Sequence, residues 1–210
     1  MSAMTSPAAG NISGIVLAGG QSRRLGRDKA LEPVQGQPLI QRVIERVRQV
    51  SCETVVVVAD QSRGDALPLD VDTRIALDIY PGGGSLGGIF SGLSAAQEDW
   101  GVVVACDMPF LNLALLRFLA GLREDVDAVV PVLEGRPEPT HSLYSKACLP
   151  HIEARLKAND LKISGFFDDV RVTYVPEDDI ARFDPDYLSF FNINSPTDLE
   201  KALALAAQGW

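Results

Sequence analysis

Cysteine is scarce and poorly spaced for chemistry. Cys52, Cys106 and Cys148 are the only three in 210 residues, no C-x-x-C occurs, and only His141 and His151 could join them. That excludes a zinc ribbon, and an odd set of distant thiols argues for a reducing compartment rather than a disulfide scaffold. Each thiol reads as a small buried hydrophobe. Positive charge is short as well: 19 Lys and Arg face 28 Asp and Glu, a net charge of −9. Such a chain repels a phosphate backbone and an anionic bilayer, which disfavours non-specific nucleic-acid and membrane-surface binding. Any phosphate-bearing ligand must therefore meet a local positive site or a metal. No apolar run approaches the roughly 18 residues of a membrane helix. The opening MSAMTSPAAGN has neither a basic residue nor an apolar centre, so it does not read as a signal peptide. Residues 1–11 are expected to be a disordered leader, residues 12–210 the folded domain, and the location cytoplasmic.

What is present is ordinary globular composition, 46% hydrophobic and 22% charged, which argues against disorder, collagen and coiled coil. A chain of this length buries roughly 70% of its unfolded surface and needs no covalent staples. From Asn11 onward, apolar strands alternate with amphipathic helices. Strands are read at 12–18, 53–59, 73–77, 101–106, 127–132, 141–145, 171–175 and 189–194, and helices at 37–50, 87–97, 111–122 and 147–158. A last helix follows Ser195, with Pro196 at its first position and Asp198 three residues after the cap, a capping-box signature. The run ETVVVVA has the continuous β-branched character of a strand covered on both faces. The pattern predicts a three-layer α/β/α domain around a mostly parallel sheet, with ligands bound beyond the carboxyl ends of its strands.

The residues just past those strand ends carry the chemistry. After the first strand comes Gly19-Gly20-Gln21-Ser22-Arg23-Arg24-Leu25-Gly26-Arg27-Asp28-Lys29. Paired glycines let the backbone turn and expose successive N–H groups, Ser22 adds a hydroxyl donor, and four cations crowd into seven positions. This is where a polyphosphate should bind, and it is not a P-loop, because GxxxxGK[ST] is absent. Asp60, Asp78 and Asp107 follow the next three strands. Asp107, directly after a buried strand and before Met108-Pro109, suits a hard cation such as Mg²⁺, or else caps a helix that Pro109 could start. Asp60 and Asp78 read equally well as turn or cap residues. Gly82-x-Gly84-x-x-Gly87 satisfies the dinucleotide-binding spacing. Ile79-Tyr80-Pro81 intervene after the strand, however, and a nicotinamide role would leave the basic loop without a purpose.

The stretch from Leu17 to Lys29 has the form L-A-G-G-x-S-x-R-x-G-x-D-K and resembles molybdenum cofactor guanylyltransferases, nucleotidyltransferases of the sugar-nucleotide type. C-D-M-P-F around Asp107 resembles that family's metal-binding motif, and D-I-Y-P-G-G-G-S-L-G-G-I resembles its second nucleotide loop, with Ser85 where Pro is usual. Asp60 stands where the family often has Asn. N-I-N-S-P-T-D-L, containing Asn192 and Asn194, resembles the closing motif, and residues 134–145, with Arg136, loosely resemble a substrate-side segment. The resemblance covers about residues 12–207. It implies Lys29, Asp107 and Arg24 as catalytic groups. It implies Leu17, Ala18, Gly19, Gly20, Ser22, Lys29, Asp60, Asp78 and Asp107 as nucleotide-binding residues, and Asp107 with Asn194 as Mg²⁺ ligands. The implied reaction is transfer of GMP from GTP to molybdenum-bound molybdopterin, without nucleic acid or membrane. Cytidylyl-transferring relatives show L-A-A-G, with Ala at the position of Gly19. A related cytidylyl- or sugar-phosphate transferase, or a non-catalytic nucleotide-binding partner, is the alternative. Composition and spacing alone reach only a Mg-dependent transferase acting on a nucleotide.

Overall fold

A computed structural model describes residues 11–20 and 28–209. The expected leader, apart from Asn11, lies outside these residues, as do Ser22, Arg23, Arg24 and Arg27. Strand β1 is Ser13–Leu17, and a 3-10 turn covers Lys29–Leu31. Strands β2 (Pro33–Val34) and β3 (Gln37–Pro38) form a hairpin. Its two central residues, Gln35 and Gly36, have φ of 53° and 79°, the left-handed pair that a two-residue hairpin demands. Extended pairing takes Gln37 and Pro38 out of the helix expected at 37–50, and α1 runs Leu39–Arg48. Its buried residues Leu39, Ile40, Val43, Ile44 and Val47 are the stripe read from the sequence.

The chain continues through β4 (Glu53–Val58), α2 (Gln61–Ala66), β5 (Thr73–Leu77), α3 (Gly84–Ala95) and β6 (Trp100–Ala105). Then follow α4 (Leu113–Ala120), β7 (Ala128–Leu133), β8 (Arg136–Pro137) and β9 (His141–Ser145). The last elements are α5 (Leu149–Lys157), β10 (Val172–Val175), α6 (Glu177–Ala181) and α7 (Pro196–Ala207). The sheet has eight strands in the order β10-β7-β9-β6-β1-β4-β5, with β8 paired to β7. Six of these strands, β1, β4, β5, β6, β7 and β10, lie in parallel pairs, and β9 is antiparallel to both β6 and β7. Side chains alternate across it. Val16, Val56, Val58, Val102 and Val104 face the layer of α1 and α4, while Ile15, Val55, Val57 and Val103 face α3 and α5. Helix α3 lies close to β1 because it is glycine-rich: a Cβ at Gly92 would sit 2.4 Å from Ile15 Cγ2.

Three expectations need correction. The segment 189–194 is not a strand: Leu188–Phe190 is a 3-10 turn. Buried Asp184 accepts hydrogen bonds from the N–H groups of Leu188 (3.1 Å) and Ser189 (2.8 Å), which bends the chain before a ladder can form. Asp107 caps no helix and Pro109 starts none, since Asn112 caps α4 by accepting from Ala114 and Leu115 N–H. Helix α2 had no apolar periodicity to reveal it. The capping box at Ser195 and Asp198 is present as read. No helix among the described residues is long and apolar enough to cross a membrane.

His141 is fully buried on β9, with its ring 4.6 Å from that of Phe190. Burial lowers its pKa to about 4, against a smaller raising contribution from the Ser189 backbone. In the unfolded chain it titrates near 6.5. Between these values the unfolded state holds more protons, so stability is whole above about pH 6.5 and is lost as pH falls toward 4. The loss from this residue is about 3 kcal/mol. His141→Leu should flatten that acid limb. Urea midpoints at pH 7 and pH 4.5 check it, and an identical pH dependence in the variant would refute the assignment.

Candidate active site

The strand order builds outward from β1 through β4 and β5, then returns to β6 on β1's other side. Such a reversal opens a crevice beyond the carboxyl ends of the two flanking strands. Leu17 and Cys106 mark its floor, with the Leu17 carbonyl accepting from Cys106 N–H at 3.1 Å. A cavity of about 670 Å³ lies there. Leu17, Gly19, Gly20, Lys29, Asp78, Ser85 and Asp107 are among the residues lining it.

Two of the expected catalytic groups meet in this crevice. Asp28 accepts from Ala30 N–H at 3.0 Å and so caps the turn that begins with Lys29. Lys29 Nζ pairs with Asp107 Oδ2 and donates to Asn194 Oδ1 at 3.1 Å. Asn194 is 165 residues away in sequence. It arrives because Ile193 N–H donates to the Asp107 carbonyl (3.0 Å) and Asp198 accepts from Asn194 N–H (3.0 Å), anchoring the segment between the strand end and α7. Asp107 is buried, and its Oδ1 has no hydrogen-bond partner among the described residues. An unpaired buried carboxylate oxygen is costly unless something else meets it. No three His, Cys, Asp or Glu side chains converge among the described residues. One carboxylate beside an amide oxygen is the donor set of an ion that keeps water and substrate oxygens, as Mg²⁺ does. Beside it, burial and the neighbouring Asp107 charge push the Cys106 thiol up to about 12, so it is an inert hydrophobe.

The paired glycines behave differently from a tight turn. Neither Gly19 nor Gly20 has a left-handed φ. Among the described residues, a Cβ at Gly20 would meet no atom within 4 Å, and one at Gly19 would make ordinary contact with Ala59 N at 3.4 Å. What the missing side chains preserve is open space in the cavity wall, the use glycine has where backbone must approach a ligand.

The other sequence candidates are distributed as follows. Asp78 lines the cavity, with its Oδ1 accepting from Tyr80 N–H and Ser91 Oγ at 3.0 Å each, so it acts as a turn residue at the crevice edge. Gly82, Gly84 and Ser85 line the same cavity at the start of α3, but residues 78–83 separate that helix from β5. The glycines are therefore not the tight strand-to-helix turn of a dinucleotide site. Asp60 is outside the lining and caps α2 instead, accepting from Ser62 Oγ (2.7 Å) and Arg63 N–H (2.9 Å), which holds its pKa low. Ala18 is buried behind the wall. Asn192 bonds the Phe190 carbonyl, and Arg136 is exposed on β8. Ser22 and Arg24 lie outside the described residues. Sequence reasoning missed Arg63. Its guanidinium reaches the Ala18 carbonyl at 3.2 Å and forks onto Asp28, yet no motif or periodicity marks it.

The MobA-like NTP transferase domain family matches residues 14–170. A probable molybdenum cofactor guanylyltransferase of Pelotomaculum thermopropionicum is 37% identical, the match covering 92% of this chain and 93% of that protein. The molybdenum cofactor guanylyltransferase of Desulfosudis oleivorans is 36% identical over 94% and 97%. Among solved structures, molybdopterin-guanine dinucleotide biosynthesis protein A from Archaeoglobus fulgidus superposes with a TM-score of 0.83 at 30% identity, covering 94% of this chain and all of that one. A cytidylyltransferase from Thermus thermophilus shares the fold, with a TM-score of 0.68 at 20% identity. Its motifs at the strand ends, the convergence of Lys29, Asp107 and Asn194, and these matches agree: the chain belongs to the MobA-like NTP transferase family, with the molybdenum cofactor guanylyltransferases.

Proposed function

We propose that this enzyme transfers GMP from GTP to the terminal phosphate of molybdenum-bound molybdopterin and releases pyrophosphate. The observation that carries the reading is the Lys29–Asp107–Asn194 cluster beside the open Gly19-Gly20 wall. An acceptor phosphate oxygen attacks the α-phosphorus while the bond to the pyrophosphate oxygen breaks, so no covalent enzyme intermediate is needed. Lys29 holds positive charge where the β- and γ-phosphates gather it, and the wall glycines let backbone N–H groups approach the triphosphate. Arg24, from the loop between Gly20 and Asp28, is assigned as a further cation on the phosphates. Asp107, through the Oδ1 that has no partner among the described residues, and Asn194 are the residues that would hold Mg²⁺. When bound, the ion supplies charge neutralisation at the phosphates. A second cavity of about 320 Å³ shares Ser85 with the first and includes Pro137, Pro139 and Lys162 in its lining. We assign it to the acceptor, with Lys162 facing the acceptor's phosphate. The reading carries a cytoplasmic location with it.

Pyrophosphate release with each nucleoside triphosphate, with and without molybdopterin, tests this. Release should require both GTP and the acceptor. Preference for CTP or a sugar phosphate, or release from none, would overturn it.

Gly19 tests the choice of base. Its backbone is not left-handed and an Ala side chain has room, so Gly19→Ala should leave the loop unstrained and act only through the ligand. The added methyl should push away a purine more than a pyrimidine. We expect kcat/KM for GTP to fall about tenfold and that for CTP by about twofold or less. Equal losses with both nucleotides would show a general loop defect instead.

A further inference from the structure

We propose that Arg63 is a positioning residue for the transfer reaction: it ties Ala18, just past the end of β1, to Asp28, and through Asp28 it sets the turn that carries Lys29. The inference rests on the active-site reading above. Ala18 directly follows β1, and Asp28 directly precedes the Lys29–Leu31 turn. Ala18 is fixed by its own N–H donating to the Val57 carbonyl at 2.8 Å. Arg63 Nε donates to the Ala18 carbonyl at 3.2 Å, Nη2 donates to Asp28 Oδ1 at 2.9 Å, and Nη1 pairs with Asp28 Oδ2. One planar cation thus reaches three acceptors, one on Ala18 and two on Asp28. Only a guanidinium has rigid forked donors for this, and a lysine ammonium at the same place could hold Asp28 but not the carbonyl as well.

The same carboxylate works in two directions. While it receives Arg63, its Oδ1 also accepts from Ala30 N–H and caps the Lys29 turn. Any shift of Asp28 is therefore passed to Lys29, whose ammonium must reach Asp107 and Asn194. The Arg63 and Asp28 side chains are only 19% and 25% exposed, unlike the solvent-screened surface pairs that contribute little. Arg63 is itself held from behind. Asp60 caps the short helix by accepting from Arg63 N–H, and Gly64 lies close to β5, where an added Cβ would sit 3.1 Å from Ile75 Cδ1. This gives Asp60 a role one layer removed from the ligand.

A staple that only supports the fold would lower stability and leave turnover alone, and the test separates the two. Arg63→Met, Arg63→Lys and, as a control, Arg48→Met are compared with wild type. Arg48 makes a similar forked pair with Asp70 away from the cavity. For Arg63→Met we expect kcat to fall about thirtyfold and KM for GTP to rise about fivefold, the scale of a catalytic group displaced by about an ångström. Arg63→Lys should recover most of kcat, by re-engaging Asp28, and keep the raised KM, because the Ala18 tie stays broken. Arg48→Met should change kcat/KM by less than about twofold for any loss of Tm. Independently of turnover, trypsin should cut at Arg23, Arg24 or Arg27 faster in Arg63→Met than in wild type, and GTP should slow it. A folded Arg63→Met with near-wild-type kcat/KM and an unchanged cleavage rate would overturn the proposal. If that variant does not fold, Asp28→Asn, which retains an acceptor for the Ala30 cap, must show the same kcat loss or the proposal fails. A wild-type enzyme inactive with GTP would count against the functional reading instead, and the trypsin rates would then decide on Arg63.

Discussion

Asp107→Asn is expected to reduce kcat by roughly a thousandfold, about 4 kcal/mol of transition-state stabilisation, while thermal unfolding shifts little. Asn has the same shape and keeps one oxygen, so the crevice floor can stay packed. What it loses is the negative charge that holds Lys29 and the anionic character of the oxygen that has no hydrogen-bond partner among the described residues. If that oxygen meets Mg²⁺, the variant's residual turnover should need more free Mg²⁺ for half-saturation, and a Mg²⁺ titration at fixed GTP reads this out. Near-normal turnover, with the melting curve unchanged, would remove Asp107 from the metal-binding role. A large drop in Tm would show that the Lys29–Asp107 pair is chiefly a structural contact.

Lys29→Ala is expected to lower kcat about a hundredfold and to raise KM for GTP by about threefold or less. Charge on the departing pyrophosphate grows as the bond to the α-phosphorus breaks, so a cation there stabilises the transition state more than the bound substrate. The geometry sharpens this expectation. Without a triphosphate, Lys29 is already engaged by Asp107 and Asn194, so ground-state binding of GTP must compete with existing partners. Steady-state kinetics separate the two outcomes: an unchanged kcat with a raised KM would mean that Lys29 supplies only uniform binding. The Ala variant also leaves a buried carboxylate without its counter-ion, which should raise its dependence on Mg²⁺ rather than abolish folding.

Much of the fold was legible because its determinants are local. The run Thr54–Val58 reads as a doubly covered strand from five residues, and α1's stripe from ten. The capping box from Ser195 to Asp198 is four residues long and formed as read. The errors came where a distant or tertiary group captured the backbone. Pro38 left the helix because the hairpin at Gln35-Gly36 claimed it. Residues 189–194 left the strand because Asp184 holds the amides of Leu188 and Ser189 at its start. Asp60 illustrates the same limit at the site. An Asp just past a strand looks identical in sequence whether it faces a ligand or caps the next helix, and the capping hydrogen bonds decided it.

By itself the sequence determined the alternation of strand and helix, the end of the sheet that carries the chemistry, and the glycine-rich, cationic loop with Lys29 and Asp107. These follow from periodicity and from residue types at strand ends, which are properties of short segments. The tertiary structure decided which of those residues share a volume. It brought Asn194 to Lys29 across 165 positions, left Asp107 Oδ1 without a hydrogen-bond partner among the described residues, and gave Gly20 a φ outside the left-handed region. It also placed the Arg63 guanidinium on both Ala18 and Asp28. Convergence of this kind depends on strand order and on the path of the connections between strands. It is set by burial summed over the whole chain, and no local pattern encodes it.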